Sequence, residues 1–265
     1  MLGRLRFLIP LLLVGALVLP AIAAEQVAHL PRVKGFSSGR IDSVLTVNGQ
    51  ILAVARGELA SPTRFHAVVK TYPMSGIPEV GNVPETTYEV IVYDDALYYR
   101  EGDDTQWYVE EGGGGVNASA DAIPDAVAGL EELGPITRLD AVPIADTTAD
   151  HYQIWIGPPD DVDVPANDSL NHIAIDLWIG QQVSYLYRFG VSIVGTDPQL
   201  GPLQGVFLSQ LSDFDDTSIV VGPPENAIPE QVAHSSLLTA LRMRGPLAAI
   251  TSPLALPGLL HGGQH

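Results

Sequence analysis

Residues 171–194 read NHIAIDLWIGQQVSYLYRFGVSIV. Ile173, Ile175, Leu177 and Ile179 alternate with His172, Ala174, Asp176 and Trp178, and Gly180-Gln181 then turns the chain. On the way back Val183, Tyr185, Tyr187, Phe189, Val191 and Ile193 fall on one side. Successive side chains of a strand point to opposite faces, so this pattern predicts a hairpin with one apolar face.

The same grammar extends outward from that hairpin. Residues 40–47 alternate around Ile41, Leu45 and Val47, and Asn48-Gly49 follows. That dipeptide is a strong hairpin signal, because both central positions of the turn need positive φ. Residues 51–60 and 64–72 complete a meander, with Ser61-Pro62 between them. After a Pro- and Gly-rich loop at 73–84, strands are expected at 86–93, 97–100 and 106–109. A glycine run, 112–115, leads to one helix candidate over 120–133, with Ile123, Val127, Leu130 and Leu133 near one stripe. Gly134-Pro135 stops it, and Pro124 sits in the tolerated first turn. Beyond it the expectation is strands at 136–145 and 150–156, the 171–194 hairpin, 203–211 and 217–221, with residues 213–216 as the last turn.

The fold class read from this order is mainly β (α+β). It is a curved antiparallel half-barrel of about ten or eleven strands, partly covered by one or two helices. Composition agrees: of 265 residues 46% are hydrophobic and 17% charged, with 26 Gly and 21 Pro. That profile suits a turn-rich β protein rather than a disordered chain. The formal charge of −18 argues against nucleic acid or an anionic membrane surface as an electrostatic partner.

The ends read differently. Arg4 and Arg6, the apolar run 7–19 and Ala21-Ile22-Ala23 have the order of an export signal with a small-residue cleavage site. The expected division is a signal peptide at 1–24, a linker at 25–37, the half-barrel at 38–224, and a C-terminal helix with an apolar Pro-rich tail at 225–265. Within that tail 233–244 can form a short helix, whereas Pro253 and Pro257 break 246–260 as a membrane span. The expected location is the periplasm, cell envelope or extracellular space. The chain has no cysteine, so neither a disulfide nor a thiol nucleophile nor a lipidated N-terminal cysteine is available to it.

No catalytic motif stands out. The chain has no G-x-S-x-G elbow, and His66, His151 and His172 fall on separate expected strands without the paired spacing of a metal motif. Asp160, Asp161, Asp163, Asn167 and Asp168 offer oxygen ligands but lack the spacing of a calcium loop. Asn117 and Asn167 head short glycosylation patterns. The expectation is a non-enzyme that uses no cofactor. The unusual feature is the apolar face itself, which one short helix does not cover. Leu45, Phe65, Val90, Trp107, Ile154, Ile175, Tyr185 and Tyr187 are the candidate lining of a ligand cavity.

Several runs carry a family resemblance. Glu89-Val90-Ile91-Val92-Tyr93, Leu97-Tyr98-Tyr99-Arg100 and Gln106-Trp107-Tyr108 succeed one another. Ala145-Asp146-Thr147 is followed by His151-Tyr152, and Asp176-Leu177-Trp178-Ile179 by Val183-Ser184-Tyr185-Leu186. Leu211-Ser212-Asp213-Phe214-Asp215, Ile219-Val220 and Pro223-Pro224 close the series. In order and spacing these resemble the LolA-like lipoprotein carrier superfamily, above all its LppX/LprG-type branch. The resemblance implies a curved sheet around helices and an apolar cavity that carries acyl chains across the envelope. The expected partner is therefore a lipid or acylated ligand. Without the lipidated cysteine the chain would be free or only peripherally in contact with a membrane. The alternative is an envelope sensor or scaffold domain that binds another protein through the same fold, with its cavity collapsed.

Overall fold

The computed structural model describes residues 24–61, 63–73, 85–94, 96–111, 120, 122–157, 169–197 and 201–229. The expected export signal up to residue 23, the acidic loop 160–168, both glycosylation asparagines and the tail from residue 230 fall outside the described residues.

The strands in chain order are β1 (Glu25–Val27), β2 (Ser38–Val47), β3 (Gln50–Ala60), β4 (Arg64–Thr71), β5 (Thr86–Tyr93), β6 (Ala96–Glu101) and β7 (Tyr108–Glu111). Helix α1 (Ile123–Gly129) and a 3-10 turn (Leu130–Leu133) come next. Then follow β8 (Ile136–Arg138), β9 (Val142–Ile144), β10 (Thr147–Ile156), β11 (Ser169–Gly180), β12 (Leu186–Asp197), β13 (Gly201–Ser212) and β14 (Ile228–Pro229). The 14 strands form one large curved sheet, not closed into a barrel. The count exceeds ten or eleven because β1 and β14, of three residues or fewer, are too short to show a period, and because the strand expected at 136–145 is broken into β8 and β9.

The sheet consists of two meanders. Strands β2 to β7 pair in sequence, as do β10 to β13 with β8 on their outer side. The halves join where β13 lies antiparallel to β2, with Phe207 opposite Leu45 and Leu211 opposite Ile41. Asn48 and Gly49 take φ of 50° and 77° in the β2–β3 hairpin, as its two-residue turn requires.

Three expectations are corrected. Residues 217–221 form no strand, although Ile219 and Val221 are buried. Both edges of β13 are already occupied, by β12 and β2, so residues 217–221 have no free edge of that strand to pair with. Secondly, the strand expected at 106–109 begins only at Tyr108, and the backbone carbonyl of Trp107 accepts from Ile228 N–H instead. Thirdly, the apolar stripe 183–193 is broken. Trp178 faces Arg188 and Ile179 faces Leu186, so Tyr187 is the extra residue of a bulge. Val183 is 39% exposed, while Leu186, Phe189 and Val191 face inward, and Ile193, on the same face as Phe189 and Val191, is 40% exposed.

The helix is shorter than its stripe suggests, and the final turn tightens to 3-10 geometry before Gly134. Ile123, Val127 and Leu130 still enter the interior. Residues 25–37, expected as a linker, are built into the fold: β1 pairs with β8, and Leu30, Val33 and Phe36 are buried. This strap and α1 share one core cluster with the inner faces of both meanders.

Candidate functional site

The alternation of each strand decides which side chains reach the interior, and cross-strand register then gathers them. Ile154 lies opposite Ile175 on β10 and β11, and Ala67 opposite Val90 on β4 and β5. Leu45, Phe65, Val90, Ile154, Ile175 and Tyr185 are all buried in the one cluster, although they come from opposite halves of the sheet. Tyr187 is half-buried and packs against it. Trp107 does not join them. It packs on the other face with Ile91, Val221, Tyr93 and Tyr98, and Arg100 lies over its ring at 4.9 Å. Its place before β7 frees it from the alternation that an inward position assumed.

Tyr185 is the polar end of the apolar layer. Its ring stacks on Phe214 at 4.4 Å and meets Phe36 edge-on. Its hydroxyl donates to Asp215 Oδ2 at 2.5 Å and accepts from Lys34 Nζ at 2.9 Å. Asp215 also receives the backbone N–H and hydroxyl of Ser37, at 2.7 and 3.0 Å on Oδ1. These donors, led by the Ser37 N–H, hold the Asp215 carboxyl below its usual range. The bond to Tyr185 raises the Lys34 ammonium above its usual value. The node ties the strap to the end of β13, a link between positions 178 residues apart that no local pattern announces. The positive φ of Asp213 and Asp215 turns the chain there, a geometry that aspartate tolerates better than most residues.

The outer face carries most of the paired charges. Arg100 and His66 both reach Glu89, and Asp42 pairs with Arg56 at 3.1 Å. His151 Nε2 lies 2.7 Å from Asp176 Oδ1 and its ring stacks on Trp178 at 4.3 Å. His172 instead packs against Trp155. His66 on β4 and His151 on β10 stand six strand-to-strand steps apart in the sheet. Among the described residues no three His, Asp or Glu side chains converge as metal ligands.

Described residues line at least two concavities. A groove of about 640 Å³ runs over the outer face, with Val44, Val54, Val68 and Leu208 as its apolar floor and Asp42, Arg56 and Lys70 along it. The sequence marks this floor only weakly, as apolar residues on the mixed side of their strands. A smaller cavity, about 340 Å³, lies where the strap crosses residues 182–184.

No family model matches the chain, and no curated protein matches it. Among solved structures it is similar to a LolA superfamily protein from Nitrosomonas europaea. The two share 11% identity over 73% of this chain and 92% of that one, with a TM-score of 0.20.

Proposed function

We propose that this protein is an exported binding protein of the cell envelope that holds a lipid or acylated ligand against the inner face of its sheet. One observation carries the reading. The apolar inner face crosses both meanders, yet among the described residues its cover consists of a seven-residue helix, one 3-10 turn and the strap. A sheet of this breadth ordinarily needs a full second layer. Beyond β1 the strap is tied down by polar bonds at Glu131, Ser184 and Asp215, so a chain entering beneath residues 30–37 breaks a few hydrogen bonds and leaves the β1–β8 ladder in place. Binding then rests on apolar burial, about 0.8 kcal/mol per methylene, with no bond made or broken in the ligand and no cofactor. Six of the eight candidate residues, together with Tyr187 at the margin, are the surface such a chain would meet. Solvent extraction and native mass spectrometry of the purified protein, with titration of a fluorescent fatty acid, test this. A bound lipid or saturable probe binding is expected. A ligand-free protein that ignores the probe overturns it.

A specific observation favours the runner-up, an envelope scaffold that binds a protein. Ile154, Ile175, Leu177 and Phe189 are 0% exposed, as in a filled interior, and the larger concavity lies on the outer face. A pull-down from envelope extract, in which Val54→Asp in the groove abolishes capture while lipid probes are ignored, identifies that case.

A further inference from the structure

The chain has 13 Lys and Arg against 31 Asp and Glu, and among the described residues two neighbouring cations with no carboxylate bonded to either are uncommon. Arg32 and Lys34 make such a pair. They stand two residues apart on the strap, both exposed, with buried Val33 between them. Together with Val33, Gln182, Val183 and Ser184 they line the cavity of about 340 Å³. The Lys34 N–H donates to Ser184 O at 2.8 Å and fixes the strap against this wall. Among the described residues Arg32 enters no ion pair. Lys34 bonds to the Tyr185 hydroxyl rather than to a carboxylate. Asp215, the acid behind that hydroxyl, has both oxygens engaged by Tyr185 and Ser37.

The floor of the cavity is what gives the pair a use. Val33 lines the cavity and belongs to the apolar core cluster, and Tyr185 of the same cluster is bonded to Lys34, so the cationic rim lies one side chain away from the interior. A guanidinium presents a planar fork that matches two oxygens of a carboxylate or phosphate, and an ammonium adds a point charge beside it.

We propose that the Arg32–Lys34 cavity binds the anionic head of an amphiphile, a carboxylate or a phosphate ester, whose hydrocarbon chain lies in the apolar interior. The inference rests on the lipid-binding reading and narrows its ligand to an anionic one.

The test compares oleate with oleyl alcohol, which has the same chain and no charge. Each displaces a neutral hydrophobic fluorophore from the full chain at pH 8, and inorganic phosphate serves as the headgroup without a chain. Oleate is expected to bind about three- to tenfold more tightly than the alcohol at low salt, the scale of two exposed charge contacts. That ratio falls towards one in Arg32→Gln, and in wild type at about 0.5 M NaCl. Arg32 is exposed, so its replacement leaves the packing in place. A ratio near one in wild type, or one that Arg32→Gln does not change, overturns the headgroup site and leaves lipid binding standing. Phosphate that competes with oleate at equal concentration shows a site for free anions and overturns the amphiphile. If neither oleate nor the alcohol displaces the fluorophore, the headgroup site and the lipid-binding reading both fall.

Discussion

Ser43 and Ser209 share a 2.6 Å hydrogen bond inside the core, where β2 meets β13. They face each other across the ladder that joins the two meanders, and Ser209 is fully buried. Each hydroxyl satisfies the other in a layer that is otherwise apolar. Ser209→Ala therefore strands the Ser43 hydroxyl and costs about 1–3 kcal/mol in urea unfolding. The double variant Ser43→Ala/Ser209→Ala costs less than the sum of the single ones, because no polar group is then left unpaired. Additive costs would show that the pair is not coupled.

Gly57 shows how closely the halves of the first meander are packed. A Cβ built there stands 2.6 Å from the His66 carbonyl oxygen and 3.0 Å from the Ala67 methyl. The backbone atom cannot swing aside, so Gly57→Ala is expected to destabilise by about 1–3 kcal/mol, the range for overpacking. Chemical denaturation measures it, and a neutral result would mean that β3 and β4 separate at little cost.

Phe189 fills the centre of the second meander with no exposure at all. Phe189→Ala is expected to cost about 3–5 kcal/mol, through lost transfer energy and the cavity left behind. Ile193→Ala, two turns of the pleat away and 40% exposed, is expected to cost well under half of that. Equal losses in a thermal-melt series would contradict the difference in burial between the middle and the end of this face of β12.

Glu89 gives the fold an acid limit. Burial works to raise its carboxyl, but the bonds from Arg100 and His66 outweigh it and hold the group below its ordinary value. A carboxyl lowered in the folded state stabilises above its unfolded pKa, about 4.3, and this contribution fades as pH falls through the lower folded value. Glu89→Gln is therefore less stable than wild type at pH 7, and the two urea midpoints converge below about pH 4. Parallel midpoint curves down to pH 3 would show that Glu89 does not contribute to acid sensitivity.

The Tyr185 hydroxyl joins Lys34 to Asp215, and the strap depends on it. In Tyr185→Phe the amides of Lys34 and Ser37 are expected to exchange about fivefold faster, the effect of roughly 1 kcal/mol of lost bonding. Amides of the β12–β13 ladder keep their wild-type rates. An equal acceleration in that ladder would mean that the hydroxyl supports the whole fold.

Much of the architecture was legible because its signals are local. Ile173, Ile175, Leu177 and Ile179 all proved inward-facing, and the two-residue turn at Asn48-Gly49 is where its dipeptide placed it. Inward position was legible to the same depth: Leu45, Phe65, Val90, Ile154 and Ile175 on their strands reached one cluster, and Tyr185 joins it from just before β12. Tyr187 lies at the margin of that cluster and Trp107 outside it, for a physical reason. A bulge and a late strand start each shift parity by backbone hydrogen bonding, which side-chain chemistry does not reveal.

By itself the amino-acid order determined a mainly β chain, the two faces of its long strands, and an apolar side too broad for one short helix. Those follow from period-two alternation and turn chemistry, which act over a few residues. Only the tertiary structure decided that β13 returns to β2, that residues 217–221 are denied a ladder, and that the strap brings Arg32 and Lys34 to the edge of the core. Such pairings join positions more than 100 residues apart, and they depend on which strand edges are still free when the chain arrives.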